Sequence, residues 1–157
     1  MSAAVEPVAA VRTMQAADLN GVQLVEQASY DYPWSRAVFR DCLLAGYYCV
    51  VIDREGKVVG YAILSIAAGE AHILNLCVDP AFRSHGYGER MLDEILFRAR
   101  TSSVREIFLE VRPSNVHALA LYKKKGFYQV AHRPQYYQAH EGREDAAVLA
   151  KKLTVES

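Results

Sequence analysis

Apolar residues recur along this chain with two different periods, and each stretch predicts an element of the matching kind. Val11 to Met14 reads as a short strand. Leu19, Val22, Val25 and Ala28 follow at helical spacing, with Gln23, Glu26 and Gln27 between them and Asp18 placed to cap the start. Asp31-Tyr32-Pro33-Trp34 breaks the pattern. Ser35 then stands as an N-cap before Val38, Phe39, Cys42 and Leu43, which share one helical face. Tyr48 to Ile52 and Val58 to Ile66 are apolar, β-branched runs joined by a hairpin turn at Asp53-Arg54-Glu55-Gly56. Ala71 to Val78 is a third strand, closed by Asp79-Pro80.

The second half continues in the same manner. Met91, Leu92, Ile95, Leu96 and Ala99 form one broad stripe on a helix spanning residues 88–100. Residues 106–112 alternate, with Ile107, Leu109 and Val111 on one face and Glu110 on the other beside Phe108. Pro113-Ser114-Asn115 opens a helix whose apolar side carries Ala118, Leu119, Leu121 and Tyr122. Lys123, Lys124 and Lys125 crowd its end and Gly126 closes it. Residues 127–131 and 146–153 are the last strands, separated by a polar, tyrosine-bearing loop.

This order predicts an α/β fold: a mixed sheet of about six to seven strands flanked on both faces by about four helices. The two strand-helix-strand crossovers predict parallel pairing in the middle of the sheet. Residues 1–8 read as a flexible tail and 9–157 as a single domain, with no internal repeat or linker.

Composition narrows the function classes. At 157 residues, 52% hydrophobic and 23% charged, the chain can bury a core and is not disordered. Eighteen basic residues balance eighteen acidic ones, so nothing pulls the chain as a whole toward nucleic acid or an anionic membrane. No apolar run reaches about 18 residues, so no membrane span is expected. Cys42, Cys49 and Cys77 make no C-x-x-C pair, no histidine stands at zinc-finger spacing, and no metal site is expected. An odd cysteine count without a signal peptide points to the cytoplasm.

Residues 78–90 carry the most chemistry. A strand ends and a helix begins within ten residues. Gly86 and Gly88 let the backbone turn sharply and approach a ligand closely. The N–H groups of a helix start, with the positive end of its dipole, attract an anion, and Arg83 adds a full charge nearby. The ligand group expected is a phosphate or pyrophosphate. A dinucleotide fingerprint would need a glycine where Met91 stands, and a Walker loop needs a Gly-Lys-Ser/Thr that is absent. The same glycine pair would also suit an ordinary tight turn.

Taken as a unit, Arg83-x-x-Gly86-x-Gly88 after Val78-Asp79-Pro80 resembles the coenzyme A pyrophosphate loop of the GNAT acetyltransferase superfamily, Q/R-x-x-G-x-G/A. A second stretch, Asn115, Ala118, Leu121-Tyr122 and Gly126-Phe127, resembles that family's N-x-x-A-x-x-L-Y-x-x-x-G-F. Within the superfamily, residues 109–115, Tyr136-Tyr137, residues 142–146 and Pro33-Trp34-Ser35 resemble the RimI family. Those bacterial enzymes acetylate the N-terminal alanine of a small-subunit ribosomal protein. The resemblance spans roughly residues 10–153. RimI relatives tend to carry Arg-x-Tyr-Tyr-Pro where this chain has Arg133-Pro134-Gln135-Tyr136-Tyr137-Gln138, so the acceptor-side loop differs.

The resemblance implies acetyl-CoA as acetyl donor and a ribosomal protein N-terminus as acceptor. It implies that the backbone of Leu76, Cys77 and Val78 binds the pantetheine arm and polarises the acetyl carbonyl. Arg83, Ser84, His85, Gly86, Tyr87, Gly88 and Glu89 would hold the pyrophosphate, and Asn115 would bond the pantetheine end. Glu110 takes the place of the catalytic base. Tyr122 becomes the acid for the departing thiolate, beside the cofactor. Trp34, Tyr136, Tyr137 and Arg143 become walls of the acceptor groove.

The chemistry sets its own conditions. The amine must lose a proton, the oxyanion must be stabilised, and the thiolate must be protonated; no enzyme nucleophile is needed. A free glutamate, with a pKa of about 4.3, is a weak base, so burial must raise it or a water must relay the proton. An N-terminal amine, with a pKa of about 8 against about 10.4 for lysine, is easier to deprotonate by about 3 kcal/mol. From the residues alone, Glu110 also fits a rim carboxylate paired with Arg112, and Tyr122 also fits plain core packing. A GNAT enzyme for lysine side chains or a small-molecule amine would share the donor half of this pattern. So would a non-catalytic coenzyme A-binding module.

Overall fold

The computed structural model describes residues 8–153, so the tail expected over residues 1–8 lies, except for Val8, outside the described residues. It contains four helices and a seven-stranded mixed sheet of order β1-β2-β3-β4-β5-β7-β6, as the pattern predicts. Packing groups the chain into two compact units. One runs to Ile63 and adds Asn75–Glu94; the other holds Leu64–Leu74 and everything from Ile95 onward. Among the described residues no helix is long and apolar enough to cross a membrane.

In the first unit, β1 (Ala9–Thr13) pairs antiparallel with β2 (Tyr48–Arg54), Val11 opposite Ile52. Helices α1 (Leu19–Ser29) and α2 (Arg36–Leu44) lie between them in sequence. Asp18 does not cap α1 with its side chain. Its carboxylate instead accepts the Gln15 N–H at 2.7 Å and both Arg12 Nη atoms at 2.8 Å, closing a 3-10 turn ahead of the helix. Two charge-assisted bonds from a guanidinium outweigh one backbone cap. Ser35 does stand at the N-cap of α2, extended but without a side-chain capping bond. Of the predicted α2 face, Phe39 and Cys42 are buried while Val38 is exposed.

The β2–β3 hairpin turns at Glu55 (φ 52°) and Gly56 (φ 87°), both left-handed as a tight two-residue hairpin requires. The Asp53 side chain accepts the Gly56 N–H at 2.8 Å and holds that turn. β3 spans Lys57–Ala67 and β4 spans Glu70–Val78. Residues 49–52 and 59–64 are buried one after another, with no alternation, so these strands are covered on both faces.

In the second unit, β5 (Glu106–Val111) pairs parallel with the start of β4, Glu70 opposite Glu106 and His72 opposite Phe108. The long helix α3 (Tyr87–Thr101) makes that crossover, and the parallel pairing is the one predicted. The crossover through α4 (Val116–Lys124) behaves differently. β7 (Arg143–Lys152) inserts beside β5, antiparallel, and pushes β6 (Tyr128–Gln138) out to the edge. The predicted loop between the last strands is therefore mostly strand, contracted to residues 139–142. The predicted strand over 127–131 is the start of β6, but period-2 patterning could not reveal its continuation to Gln138, because an edge strand with both faces solvated carries no apolar alternation. Pro134 and two register shifts suit such an edge. β5 itself alternates as predicted, with Ile107, Leu109 and Val111 buried and Glu106, Phe108 and Glu110 half-buried on the opposite face.

Candidate active site

The loop after β4 follows the sequence expectation at Gly86 but not at Gly88, which is already helical as the second residue of α3 and takes no left-handed φ. Asp79 closes the strand by accepting the Ala81 N–H at 2.9 Å. Ser84 (φ 69°) and Gly86 (φ 76°) are both left-handed, so the loop winds tightly before α3 begins at Tyr87. The Arg90 N–H reaches the Gly86 carbonyl at 3.0 Å as the opening bond of that helix. A Cβ at Gly86 would meet nothing within 4 Å, so the loop surface there is open to a ligand. Arg83, Ser84 and His85 are exposed, and Gly88 and Glu89 half-buried. His85 stacks on the buried Tyr87 at 5.3 Å. A fifteen-residue helix with an open, glycine-turned N-terminus and an exposed arginine fits an anionic ligand such as a pyrophosphate.

The preceding strand end is half-buried at Leu76 and Val78 and buried at Cys77. β3 approaches it closely at Gly60, where a Cβ would stand 2.9 Å from the Cys77 carbonyl oxygen. Burial raises the Cys77 thiol above its ordinary pKa, as it does Cys42 and Cys49, the last to about 12. These are protonated, inert thiols rather than nucleophiles.

Trp34 is positioned by Glu26, which the sequence pattern places among the polar positions of the first helix and the structure buries. Glu26, on the inner face of α1, is only 2% exposed. Its carboxyl accepts the Trp34 N–H at 2.8 Å, the Asn75 Nδ2–H at 3.1 Å and the Tyr61 hydroxyl. Trp34 also leans on Phe39 at 5.4 Å, and Phe39 in turn meets Tyr61 edge-on. The Pro33-Trp34 turn is thus pinned from inside, through a contact between residues eight apart on a helix and the breaker after it.

In the second unit, Glu110 sits with its side chain 10% exposed, on the half-buried face of β5. It does not pair with Arg112. His72 Nε2 lies 2.5 Å from its Oε2, and Arg133 Nη2 lies 3.5 Å from its Oε1. The hydrogen bond from His72 outweighs desolvation, and Arg133 adds to it, so the carboxyl titrates below its ordinary range. Of the two routes the sequence left open, burial does not raise Glu110: the hydrogen bond from His72 and the charge of Arg133 outweigh partial burial, which leaves relay through water. His72 drew no sequence assignment, because its partner is 38 residues away and only the β4–β5 register brings them together.

Neighbouring residues at the end of β5 and on β6 and β7 form a network. Arg112 lies over the Tyr137 ring at 4.4 Å and bonds Glu144 at 3.3 Å. Glu144 also takes the Ser114 N–H and hydroxyl, both at 3.0 Å. Tyr137 is half-buried and its hydroxyl titrates above the ordinary range, burial being the main cause. Tyr136 is exposed and packs edge-on against Tyr137 at 4.8 Å. Arg143 donates Nε to the Gln135 carbonyl at 2.8 Å, shaping a bulge in which Gln135 takes φ 53°. The chain's departure at Pro134-Gln135 thus becomes a local distortion of β6.

Asn115 is the N-cap of α4, its Oδ1 accepting the Ala118 N–H at 3.2 Å. Tyr122 is buried and packs edge-on against Phe127 at 5.6 Å, so the packing role holds.

The sequence model of the acetyltransferase (GNAT) family matches residues 14–127. The [ribosomal protein bS18]-alanine N-acetyltransferase of Escherichia coli (strain K12) is 30% identical over 92% of this chain and 98% of its own. The enzyme of that name from Haemophilus ducreyi (strain 35000HP) is 32% identical over 91% and 99%. The crystal structure of the ribosomal-protein-S18-alanine N-acetyltransferase from Escherichia coli superposes with a TM-score of 0.89 at 29% identity, covering 96% of this chain and 97% of that one. Ard1 from Thermoplasma volcanium gives 0.84 at 28% identity, covering 93% and 98%. With a family match over most of its length, a phosphate-type loop at the head of α3 and a half-buried glutamate on β5, this chain belongs to the GNAT acetyltransferase family.

Proposed function

We propose that this protein transfers the acetyl group of acetyl-CoA to the N-terminal alanine of a small-subunit ribosomal protein. The observation that carries the reading is near-full-length similarity to bS18-alanine N-acetyltransferases, 92% of this chain against 98% of the relative. On this reading residues 9–157 act as one catalytic domain, working in the cytoplasm, where buried free thiols stay reduced.

The proposed roles divide by chemistry. The head of α3, with Arg83 to Glu89, holds the pyrophosphate. Backbone groups of Leu76, Cys77 and Val78 align the pantetheine arm and the acetyl carbonyl. Asn115, whose Oδ1 serves the α4 cap, contributes its amide nitrogen to the same arm. Trp34, Tyr136 and Tyr137 line the acceptor groove, and Arg143 supports it through the β6 backbone. Glu110 accepts a proton from the acceptor ammonium through water. The freed nitrogen pair attacks the thioester carbonyl, and the carbon–sulfur bond breaks as Tyr122 protonates the departing thiolate. The nitrogen gives up its second proton to solvent while the tyrosinate regains one from it, so the amide and free coenzyme A thiol are left with one net proton on Glu110. An N-terminal amine suits a glutamate held below its usual range better than lysine does, since its proton is less tightly held by about 3 kcal/mol.

The test mixes the protein with acetyl-CoA and two peptides, following thiol release and peptide mass. One peptide starts with the ribosomal alanine; the other has that amine blocked and a lysine free. Acetylation of the first alone, lost in Glu110→Gln, supports the reading. Acetylation of the lysine peptide moves the acceptor to side-chain amines. Transfer to neither, with acetyl-CoA bound, moves it to small-molecule amines.

A further inference from the structure

His72 faces Phe108 across the parallel β4–β5 ladder, and Glu110 lies two residues beyond Phe108 on the same face of β5. The imidazole is 39% exposed while the carboxyl it meets is 10% exposed, so His72 connects solvent to a nearly enclosed group. Nε2 contacts Oε2 only; Oε1 faces the guanidinium of Arg133, itself 57% exposed. A neutral imidazole protonated on Nε2 donates one hydrogen bond to that oxygen, and an imidazolium donates the same bond with a full charge behind it.

We infer that His72 is a positioning residue that also gates Glu110: neutral, it fixes Oε2 so that Oε1 takes the acceptor ammonium's proton; protonated, it withdraws the base. The inference rests on the reading of Glu110 as the base. In the step, one N–H bond of the ammonium breaks and an O–H bond forms at Oε1, while His72 keeps its own proton. The solvent-exposed Arg133 head yields Oε1 to the incoming proton. An imidazolium at Oε2 would oppose this twice, by holding the carboxylate's electrons and by repelling a second cation.

Among the groups around Glu110, His72 alone is of a side-chain type that ordinarily changes charge near neutrality. From β6 come Arg133, charged throughout, and Tyr137, which titrates far above it. On β5, Arg112 is offset by Glu144 of β7. Histidine alone among unperturbed side chains titrates between about pH 5 and 8.

The experiment uses the full chain, saturating acetyl-CoA and the alanine-starting peptide, with kcat/KM measured from about pH 5.5 to 8.5. In His72→Gln the amide still donates to Oε2 but cannot titrate. Below about pH 6.5 the wild-type plot of log(kcat/KM) against pH should be steeper than that of H72Q by one proton. At about pH 8, H72A should lose about tenfold in kcat and H72Q about threefold, because only the first removes the donor. Equal acid slopes in wild type and H72Q overturn the gating, and an H72A kcat equal to wild type overturns the positioning. Should H72A not fold, as reported by its circular dichroism, the H72Q slope and kcat decide. Glu110→Gln separates the two layers: a wild-type rate in E110Q sinks the base reading and this inference with it. A loss of about a hundredfold in E110Q with an unchanged H72Q slope sinks this inference alone.

Discussion

Replacing Glu26 by alanine should cost about 4 kcal/mol, and the sum can be worked group by group. Three donors lose their acceptor: the Tyr61 hydroxyl, the Trp34 N–H and the Asn75 Nδ2–H. Tyr61 is 0% exposed, so its orphaned hydroxyl has no route to water and costs about 2 kcal/mol. The half-buried Trp34 N–H can reach water, which holds its loss to about 1 kcal/mol. Asn75 keeps the Tyr61 oxygen, 3.4 Å away, as an acceptor and adds little. The space left by the γ-methylene and the carboxyl costs about 1 kcal/mol more. Glu26→Gln keeps one oxygen for Tyr61 but turns an N–H₂ group toward a donor, for about 1–2 kcal/mol. Urea unfolding followed by circular dichroism reads these losses, and for a chain of this size about 4 kcal/mol corresponds to a melting point about 8–16 °C lower. Because Glu26 pins Trp34, E26Q should also raise the peptide KM while leaving the acetyl-CoA KM unchanged. A loss below about 1 kcal/mol in E26A, or equal losses in the two variants, would refute the hydrogen-bond accounting.

Other outcomes follow from single contacts. Gly60→Ala places a methyl 2.9 Å from the Cys77 carbonyl oxygen and 3.0 Å from Ile52 and Met91, and should cost about 2 kcal/mol by thermal melt. Gly86→Ala meets no atom but must hold φ 76°, so it should cost about 1 kcal/mol in stability and weaken acetyl-CoA binding by calorimetry. Asp18 is held below its ordinary 3.8 mainly by its bond to Arg12. Its stabilisation is therefore complete above about pH 4 and lost as pH falls through the lowered value, so the gap between wild type and Arg12→Ala should shrink in acid unfolding series. Tyr122→Phe keeps the ring packing against Phe127 and should lower kcat about tenfold or more in the peptide assay.

Much of this protein was legible in the order of its residues. Helical and strand periods placed all four helices and seven strands, missing the second half of β6. Gly86 marked the tight loop before α3, because left-handed backbone and an open helix start are local demands met by local residues. The alternation of β5 put Glu110 opposite the core side for the same reason: a strand's two faces are set by parity alone. What the order of residues could not decide was which groups meet across strands. The insertion of β7 beside β5, the bond between His72 and Glu110, and the burial of Glu26 beneath Trp34 all join residues distant in sequence. Each depends on register, and register is chosen by the whole sheet. So too with the Glu110 pKa: burial and neighbouring charge push in opposite directions, and only tertiary packing determined that His72 and Arg133 would win.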